Sequence, residues 1–268
     1  MSTLVVATSA ADAQAVEAVK DHHAELAGAL AVQVETLVAA AARGDHSAAA
    51  TASEALVQWC QAELIPHALA EEGAMYPKAH EDPRARLLVD AMLAEHRDLV
   101  GLVEAIHHAN DPVRAAANAQ SLRSMFDSHL AKENEQILPL LAESSEISLA
   151  DILGGMRELL GGHDNNESTD SGVEASAEDG CGGTCGCGGQ DPANVLPELD
   201  ARAVPHAIRH ATILGALDSL GAGSGMVLVA PHDPLPLLAQ IESRSPGLFS
   251  VDYLERGPEA WRICFVHT

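Results

Sequence analysis

Hydrophobic positions in the first part of the chain recur at the three- and four-residue steps of amphipathic helices. The clearest apolar stripe runs from Val16 to Leu37, behind Ser9, which we expect to be the N-cap of the first helix. Short breaks that contain Gly or an Asp-Pro pair divide the following residues: Gly44-Asp45, Asp82-Pro83 and Asp111-Pro112. Four long helices with short connections predict an up-down-up-down four-helix bundle, with a shorter helix at about 147–160 against its outside.

Prolines refine the predicted helix ends. Asp82 and Asp111 each precede a Pro, a pairing in which the Asp caps a helix and the Pro takes its first position. Pro66 lies inside the second helix, predicted for about 47–78, and is expected to kink it.

The periodicity changes after the helical part. Residues 163–194 are rich in Gly, Ser, Asn and acidic residues, which cannot form a hydrophobic core, so we expect a flexible linker. Residues 195–268 alternate short apolar runs with amphipathic stretches in the order β-α-β-α-β-β, which predicts a small two-layer sandwich. The predicted fold class is therefore multidomain, α plus α+β, with the bundle at 1–162 and the sandwich at 195–268.

Composition agrees with packed helices, because 47% of the residues are hydrophobic but only 3% are aromatic. The formal net charge of −24 argues against nucleic acid or an anionic membrane as a partner, since both attract cationic proteins. No apolar run approaches the roughly 20 residues that span a bilayer, and no basic export-signal segment precedes the first helix. The five Cys do not form a disulfide framework, so we expect a cytoplasmic protein.

One sequence phrase occurs twice in the helical part. It is a His, a Glu four residues later, and a Pro six residues after the Glu, at His67-Glu71-Pro77 and His129-Glu133-Pro139. Helix positions four residues apart lie on the same face, so each phrase places an imidazole beside a carboxylate, as a metal site requires. One such pair arises often by chance, whereas two with the same downstream Pro are stronger evidence.

A second repetition links the first and third helices. Segments that begin at His23 and His96 share His, Leu and Gly at the same offsets. The bundle is therefore expected to be one helix pair repeated about a pseudo-twofold axis along its length. In this alignment His22 matches Glu95, so the repetition favours His23 over His22 as the inward-facing residue.

Six polar residues are then expected inside the bundle: His23, His67, Glu71, His96, His129 and Glu133. Buried without partners they would carry a large desolvation cost, which a pair of metal ions would relieve. If both Glu bridge, each ion receives two imidazole nitrogens, two carboxylate oxygens and a shared solvent oxygen, with about one position left open. These ligands suit iron, manganese or zinc and do not choose among them. Tyr76, one turn past Glu71, is expected to pack, or else to border the open position.

The residues around these positions resemble a known family. The segments D-H-H-A-E-L, P-H-A-L-A-E-E-G-A-M-Y-P, A-E-H-R-D-L and H-L-A-K-E-N-E-Q-I-L-P are similar to the hemerythrin-like (HHE cation-binding) domain, over about residues 12–142. The resemblance implies a non-haem di-iron centre, with two iron ions bridged by an oxo or hydroxo group. It places the ligands on the same six residues, with His22 as the alternative to His23.

Two positions depart from the oxygen-carrying hemerythrins, which have a second His on the third helix and a later Asp on the fourth. Here Val100 stands four residues after His96, and the fourth helix offers Glu133 instead of that Asp. The departures argue against oxygen transport. The chain looks more like bacterial hemerythrin-like proteins linked to oxygen, nitric oxide or peroxide response, or to the repair of iron–sulfur centres.

The linker and the C-terminal part carry further candidates. Cys181, Cys185 and Cys187 offer three thiols without a fourth ligand, which is a weak second metal site, a redox group or an inert segment. The pieces E-L-D-A-R, H-D-P-L-P-L and Y-L-E-R-G-P-E-A-W-R resemble a domain of unknown function that is often fused to hemerythrin-like domains, with an outline similar to the TusA/SirA sulfur carriers. Those carriers have a Cys-Pro-x-Pro motif, and no Cys precedes Pro205, so sulfur transfer by that motif is not expected.

The main functional hypothesis is a di-iron protein that binds or senses O2, NO or peroxide, a binding protein more than an enzyme. The C-terminal domain would then meet a protein partner. Two alternatives stay open: an iron donor that repairs iron–sulfur centres with the linker Cys, and an enzyme that consumes peroxide or NO.

Overall fold

The structure, a computed structural model, describes Ala7 and residues 9–144, 146–159, 196–206 and 208–268. Its N-terminal part is a four-helix bundle with a short outer helix, α8, and the predicted helical bundle is confirmed. The second and fourth bundle helices are each built from several segments. In chain order the helices are α1 (Ala10–Ala42), α2 (His46–Trp59), α3 (Ile65–Ala70), α4 (Tyr76–Glu81), α5 (Arg86–His107), α6 (Pro112–Lys132), α7 (Leu138–Ala142) and α8 (Leu149–Leu159).

Three π-helical turns join these segments: Cys60–Leu64, Glu71–Met75 and Glu133–Ile137. Each is followed by a Pro at the second position of the next α-helical segment. A Pro cannot donate the helical hydrogen bond, and its ring collides with the carbonyl four residues earlier. A wider turn with hydrogen bonds across five residues gives the ring room. At Pro66, where a kink was expected, the structure has a π turn just before the Pro.

The third bundle helix begins at Arg86, so the prediction that Asp82 caps it was wrong. Asp82 has extended backbone that ends α4, and its carboxylate accepts a hydrogen bond from the Arg84 N–H at 2.8 Å. The same carboxylate binds the Arg84 guanidinium and holds residues 83–85 in a turn. The other two caps form as expected, since Ser9 caps α1 and Asp111 caps α6.

Two apolar clusters fill the bundle, one on each side of a polar layer. The first includes Leu30, Leu56, Leu99 and Leu122, which are at most 1% exposed; Met75, Tyr76, Met92 and Ile137 are the corresponding members of the second. In sequence, the buried His of each bundle helix stands between members of the two clusters. The clusters therefore hold a ring of polar side chains out of water from both ends.

The C-terminal part has the predicted order β-α-β-α-β-β, and the α+β class is confirmed. Its four-stranded sheet has the order β1-β2-β4-β3, with β1 parallel to β2 and the other pairs antiparallel. The elements are β1 (Glu198–Asp200), α9 (Arg209–Asp218), β2 (Gly225–Ala230), α10 (Leu235–Arg244), β3 (Phe249–Arg256) and β4 (Trp261–His267).

Helices α1 and α9 join the two parts at a glycine-lined crossing. A Cβ atom built on Gly28 would lie 2.0 Å from the carbonyl oxygen of Thr212, and one built on Gly215 would overlap the backbone of Glu25. Only Gly allows backbones to approach this closely. Ala31 and Val32 of α1 belong to the same apolar cluster as the sheet and α9, so α1 contributes to both cores.

Helix α1 also corrects an expectation from the sequence. It is long and apolar enough, by length and composition alone, to cross a membrane, because the stretch from Leu26 to Ala42 carries one charged residue, Glu35. More than half of its most apolar window, 56%, is buried inside the protein. The core helix of a bundle passes the same test, and this burial is what such a helix shows.

Candidate metal centre

The two Glu of the repeated phrase stand at the start of π turns. The carbonyl of Glu71 accepts the hydrogen bond of the Tyr76 N–H, and the carbonyl of Glu133 accepts that of the Leu138 N–H. Pro77 and Pro139 follow one residue later, which explains why the phrase ends in Pro at a fixed distance. π turns inside α-helices are frequent at functional sites.

All six polar residues expected from the sequence meet in the layer between the apolar clusters. Each is at most 3% exposed: His23, His67, Glu71, His96, His129 and Glu133. Their ligand atoms form two groups whose members lie within 4.8 Å of one another. One group contains His23, His67 and Glu133, the other contains His96 and His129, and Glu71 belongs to both. We call these groups the His23–His67 half and the His96–His129 half.

Both carboxylates lie between the two halves. Glu71 Oε1 is 2.9 Å from His67 Nε2, and its Oε2 is 3.5 Å from His96 Nε2. Glu133 Oε2 is 3.6 Å from His23 Nε2, and its Oε1 is 3.7 Å from His129 Nε2. Each Glu therefore presents one oxygen to each half, as a bridging carboxylate does.

The two imidazoles of the His96–His129 half converge most closely. Their Nε2 atoms are 3.0 Å apart. Nitrogens that bind one ion at about 2.1 Å, at right angles, are separated by about 3 Å. The spacing thus suits a shared ion.

The buried polar atoms of the layer are poorly satisfied by the protein itself. Among the described residues, six buried side-chain atoms have no partner with hydrogen-bond geometry, although His67 Nε2 and Glu71 Oε1 lie 2.9 Å apart. All six belong to this layer: His23 Nε2, both ring nitrogens of His67, both oxygens of Glu71, and Glu133 Oε2. An unpaired buried polar group costs about 1–3 kcal/mol, and more when charged. Cations placed between the halves would use five of the six atoms as ligands, so the residues fit a metal centre.

The two carboxyl groups are electrostatically different. Burial opposes ionisation of Glu71, but the charge of His67 and contacts with three imidazoles outweigh it and hold its pKa well below the usual range. Burial and the nearby charge of Glu71 raise the pKa of Glu133 well above its usual range. Two carboxylates in one dry layer cannot both ionise cheaply without a cation between them.

Three of the four imidazoles are held from outside the layer by side chains that the sequence reasoning missed. The Nδ1 atoms of His23, His96 and His129 lie 2.8–3.1 Å from Asn134 Oδ1, Glu72 Oε1 and Glu95 Oε2, respectively. Each partner is the sequence neighbour of a candidate ligand, and that adjacency was the signal that could have found them. Such partners fix the ring and leave Nε2 to face a metal.

Tyr76, which the sequence predicted chiefly to pack, also belongs to the site. It is 1% exposed, and its hydroxyl donates a hydrogen bond of 2.6 Å to Glu133 Oε1. The Tyr76 hydroxyl oxygen itself lies 3.2 Å from His129 Nε2 and 3.4 Å from His96 Nε2. Tyr76 therefore borders the His96–His129 half, which was the alternative drawn from its sequence position.

The remaining sequence candidates lie elsewhere. His22 is outside both ligand groups; its ring packs edge-on against His67 at 5.0 Å between centroids, and burial lowers its pKa to about 4. Cys181, Cys185 and Cys187 lie outside the described residues. Cys60 and Cys264 are buried, in the first apolar cluster and in strand β4, respectively, and belong to neither ligand group.

The buried layer of four His and two Glu in a four-helix bundle places this protein in the class of candidate metal-binding proteins. Residues 14–141 match the family described as the hemerythrin HHE cation binding domain. Residues 14–141 are thus a hemerythrin-like (HHE cation-binding) domain. Residues 198–267 match a second family, described as an uncharacterized conserved protein, DUF2249. The likeness of this part to sulfur carriers stays a prediction. Neither the curated proteins nor the solved structures gave a match.

Proposed function

We propose that the polar layer holds two iron ions and that the protein binds or senses O2, NO or peroxide there. One observation carries the proposal, namely that Glu71 and Glu133 each turn one oxygen to each pair of imidazoles. Each half then supplies two nitrogens and two carboxylate oxygens, fewer than the five or six ligands that iron takes in such sites. A small ligand can therefore bind without displacing the protein.

When bound, an iron pair supplies one-electron changes of oxidation state and open coordination positions. The protein contributes a dry site and one positioned donor. The apolar clusters above and below exclude water, and the Tyr76 hydroxyl points at the edge of the His96–His129 half. If the hydroxyl turned its single proton from Glu133 Oε1 to a bound ligand, it would favour an anionic or polarised ligand in that half.

A small ligand also needs a path to the layer. A cavity of about 560 Å³ lies between the bundle and the C-terminal part, and its wall includes His23 and Asn134. The opposite wall is formed by residues such as Leu199, Val204 and Ile208. This cavity supports an entry route beside the His23–His67 half, covered by the C-terminal part.

The test combines metal content with optical spectra of the full chain after iron-replete expression. We expect two iron ions per chain, near-ultraviolet charge-transfer bands of a ferric pair, and changed spectra of the reduced protein on adding O2 or NO. Manganese and zinc are compared in the same assay. The Glu71→Gln variant should lose both ions, because it removes a charge from both halves, whereas His46→Gln, an exposed change far from the layer, should retain them.

Binding of fewer than two iron ions per chain at saturation, or spectra indifferent to every small ligand, would contradict the proposal. Catalytic turnover of peroxide or NO with an added electron donor would instead identify an enzyme. The proposal of iron donation through the linker Cys is tested separately. Iron transfer to an apo iron–sulfur protein should fall when Cys181, Cys185 and Cys187 are replaced by Ser.

A further inference from the structure

The pseudo-twofold relation extends beyond the candidate ligands to the side chains that hold them. Glu72 follows Glu71 in the chain and contacts His96 Nδ1 at 2.8 Å. Asn134 follows Glu133 and contacts His23 Nδ1 at 2.9 Å. The two positions are equivalent in the repeat, yet one carries a carboxylate and the other a neutral amide.

The residues that precede the paired His on α1 and α5 show the same contrast. Glu95, just before His96, contacts His129 Nδ1 at 3.1 Å. His22, just before His23, packs against the His67 ring, and His67 Nδ1 has no hydrogen-bond partner among the described residues. A carboxylate again serves one half, while an imidazole stands at the equivalent place in the other.

The halves therefore have equal inner sets but unequal outer sets. Two imidazoles and one oxygen from each Glu face each half, as the distances above show. Behind them, in the part of the chain that the structure describes, two carboxylates contact the His96–His129 half and none contacts the His23–His67 half. A carboxylate behind a His makes the ring a stronger ligand, and removing such a partner typically costs about 10–100-fold in metal affinity.

We infer that the two metal positions are inequivalent: the His96–His129 half retains its ion under conditions that empty the His23–His67 half. The inference rests on the proposed function, since it presupposes two bound ions. It assigns Glu72, Glu95 and Asn134 as positioning residues that act on the metal through the imidazoles. The labile ion lies on the side of the cavity that His23 and Asn134 line.

Two contacts should weaken metal binding in the His96–His129 half and so oppose the inferred order of affinities. They also show why Glu72 is the residue to substitute. Lys132 pairs with Glu95 and offsets part of its charge. The Tyr76 hydroxyl donates to Glu133 Oε1 and weakens that oxygen as a ligand in the His96–His129 half. Among the described residues, no Lys or Arg pairs with Glu72, so we expect its effect to be the larger of the two carboxylates.

The experiment removes iron(II) anaerobically from the loaded full chain with a graded chelator and counts the iron that remains. The wild type should release its ions in two steps, separated by at least about tenfold in free iron(II). Glu72→Gln should shift the tight step toward the loose one. Asn134→Asp, the reciprocal change, should shift the loose step toward the tight one. Both substitutions are isosteric and at half-buried positions.

The control is Gln120→Glu, which adds the same charge as Asn134→Asp at an exposed position of the same helix and should move neither step. Circular dichroism checks that every variant is folded, and Mössbauer spectra of ⁵⁷Fe in the half-emptied wild type should show one remaining iron environment. Release of both ions in a single step, or equal shifts of both steps by each variant, would overturn the inference alone. Binding of fewer than two ions would overturn the proposed function, and the inference with it.

Discussion

The same substitution at two positions related by the repeat should have opposite effects on stability. Gly28 and Gly101 occupy equivalent places on α1 and α5. Gly28 faces the backbone of α9, whereas a Cβ on Gly101 would meet no other described element within 4 Å. Gly28→Ala and Gly101→Ala therefore form a matched pair that isolates the crossing of α1 and α9.

The magnitudes follow from this geometry. Inside a helix, Ala is favoured over Gly by about 0.5–1 kcal/mol, so Gly101→Ala should stabilise the protein by about that amount. At Gly28 the new atom would lie 2.0 Å from the Thr212 carbonyl oxygen, more than 1 Å inside ordinary contact. The obstacle is backbone and cannot rotate away, so the helices must separate, at a typical overpacking cost of about 1–3 kcal/mol. Because Ala is favoured over Gly at both helix positions, the two variants should differ by the overpacking cost alone, about 1–3 kcal/mol.

The measurement is urea unfolding of the full chain, combined with amide hydrogen exchange. We expect faster exchange in α9 and β1 of the Gly28→Ala variant, and unchanged exchange there in Gly101→Ala. Free energies of unfolding that agree within about 0.5 kcal/mol, or unaltered exchange in α9, would refute the close crossing.

Two further predictions concern the interior of the bundle. In the iron-loaded protein, Tyr76→Phe should keep the metal but weaken azide binding about tenfold, because a hydrogen-bond donor is lost. The control is Tyr253→Phe, which removes a hydroxyl that contacts Asp233 and should leave azide affinity unchanged. Equal azide affinity in the two variants would exclude Tyr76 from the ligand's surroundings. Burial raises the pKa of Cys60 from 9.0 to about 12, so at pH 8 its thiolate fraction is about 1000-fold below that of the unfolded chain. Alkylation of Cys60, followed by mass spectrometry, should be correspondingly slow in the native protein. Because the unfolded thiol ionises first, this group's contribution to stability is complete below pH 9 and is lost as the pH rises toward 12.

Repetition made the centre of the bundle predictable. Helix periodicity predicted the inward faces. The repeated His-Glu phrase predicted four of the polar residues and the alignment of His23 with His96 the other two, and the structure brings all six together. The caps at Ser9 and Asp111 could be predicted, and each side chain accepts a hydrogen bond from a backbone N–H in the first turn of its helix. Asp82 was misread because local sequence does not show that the Arg84 side chain competes for the same carboxylate.

Features that depend on contacts between distant segments could not be predicted from the sequence pattern. Gly28 could be seen in the repeat, but its role needs the backbone of α9, which follows almost 200 residues later. Glu72 and Asn134 could be seen beside the ligands, but only the assembled bundle shows which imidazole each one reaches. Charge differences between equivalent positions therefore became meaningful only after folding.

The π turn at Glu71 changes which residues a helix can bring to one place. In an α-helix each residue turns by about 100°, so the fifth residue after Glu71 would point about 140° away from it. Hydrogen bonding across five residues brings that position back toward the same side. Tyr76 occupies it, and its hydroxyl consequently meets the imidazoles instead of the outer surface of the helix. Its counterpart after Glu133 is Leu138, which has no polar atom to offer. The Pro that follows each π turn thus goes with a helical register that turns the preceding residue toward the polar layer. That residue brings a hydroxyl group after Glu71 and only a hydrocarbon side chain after Glu133.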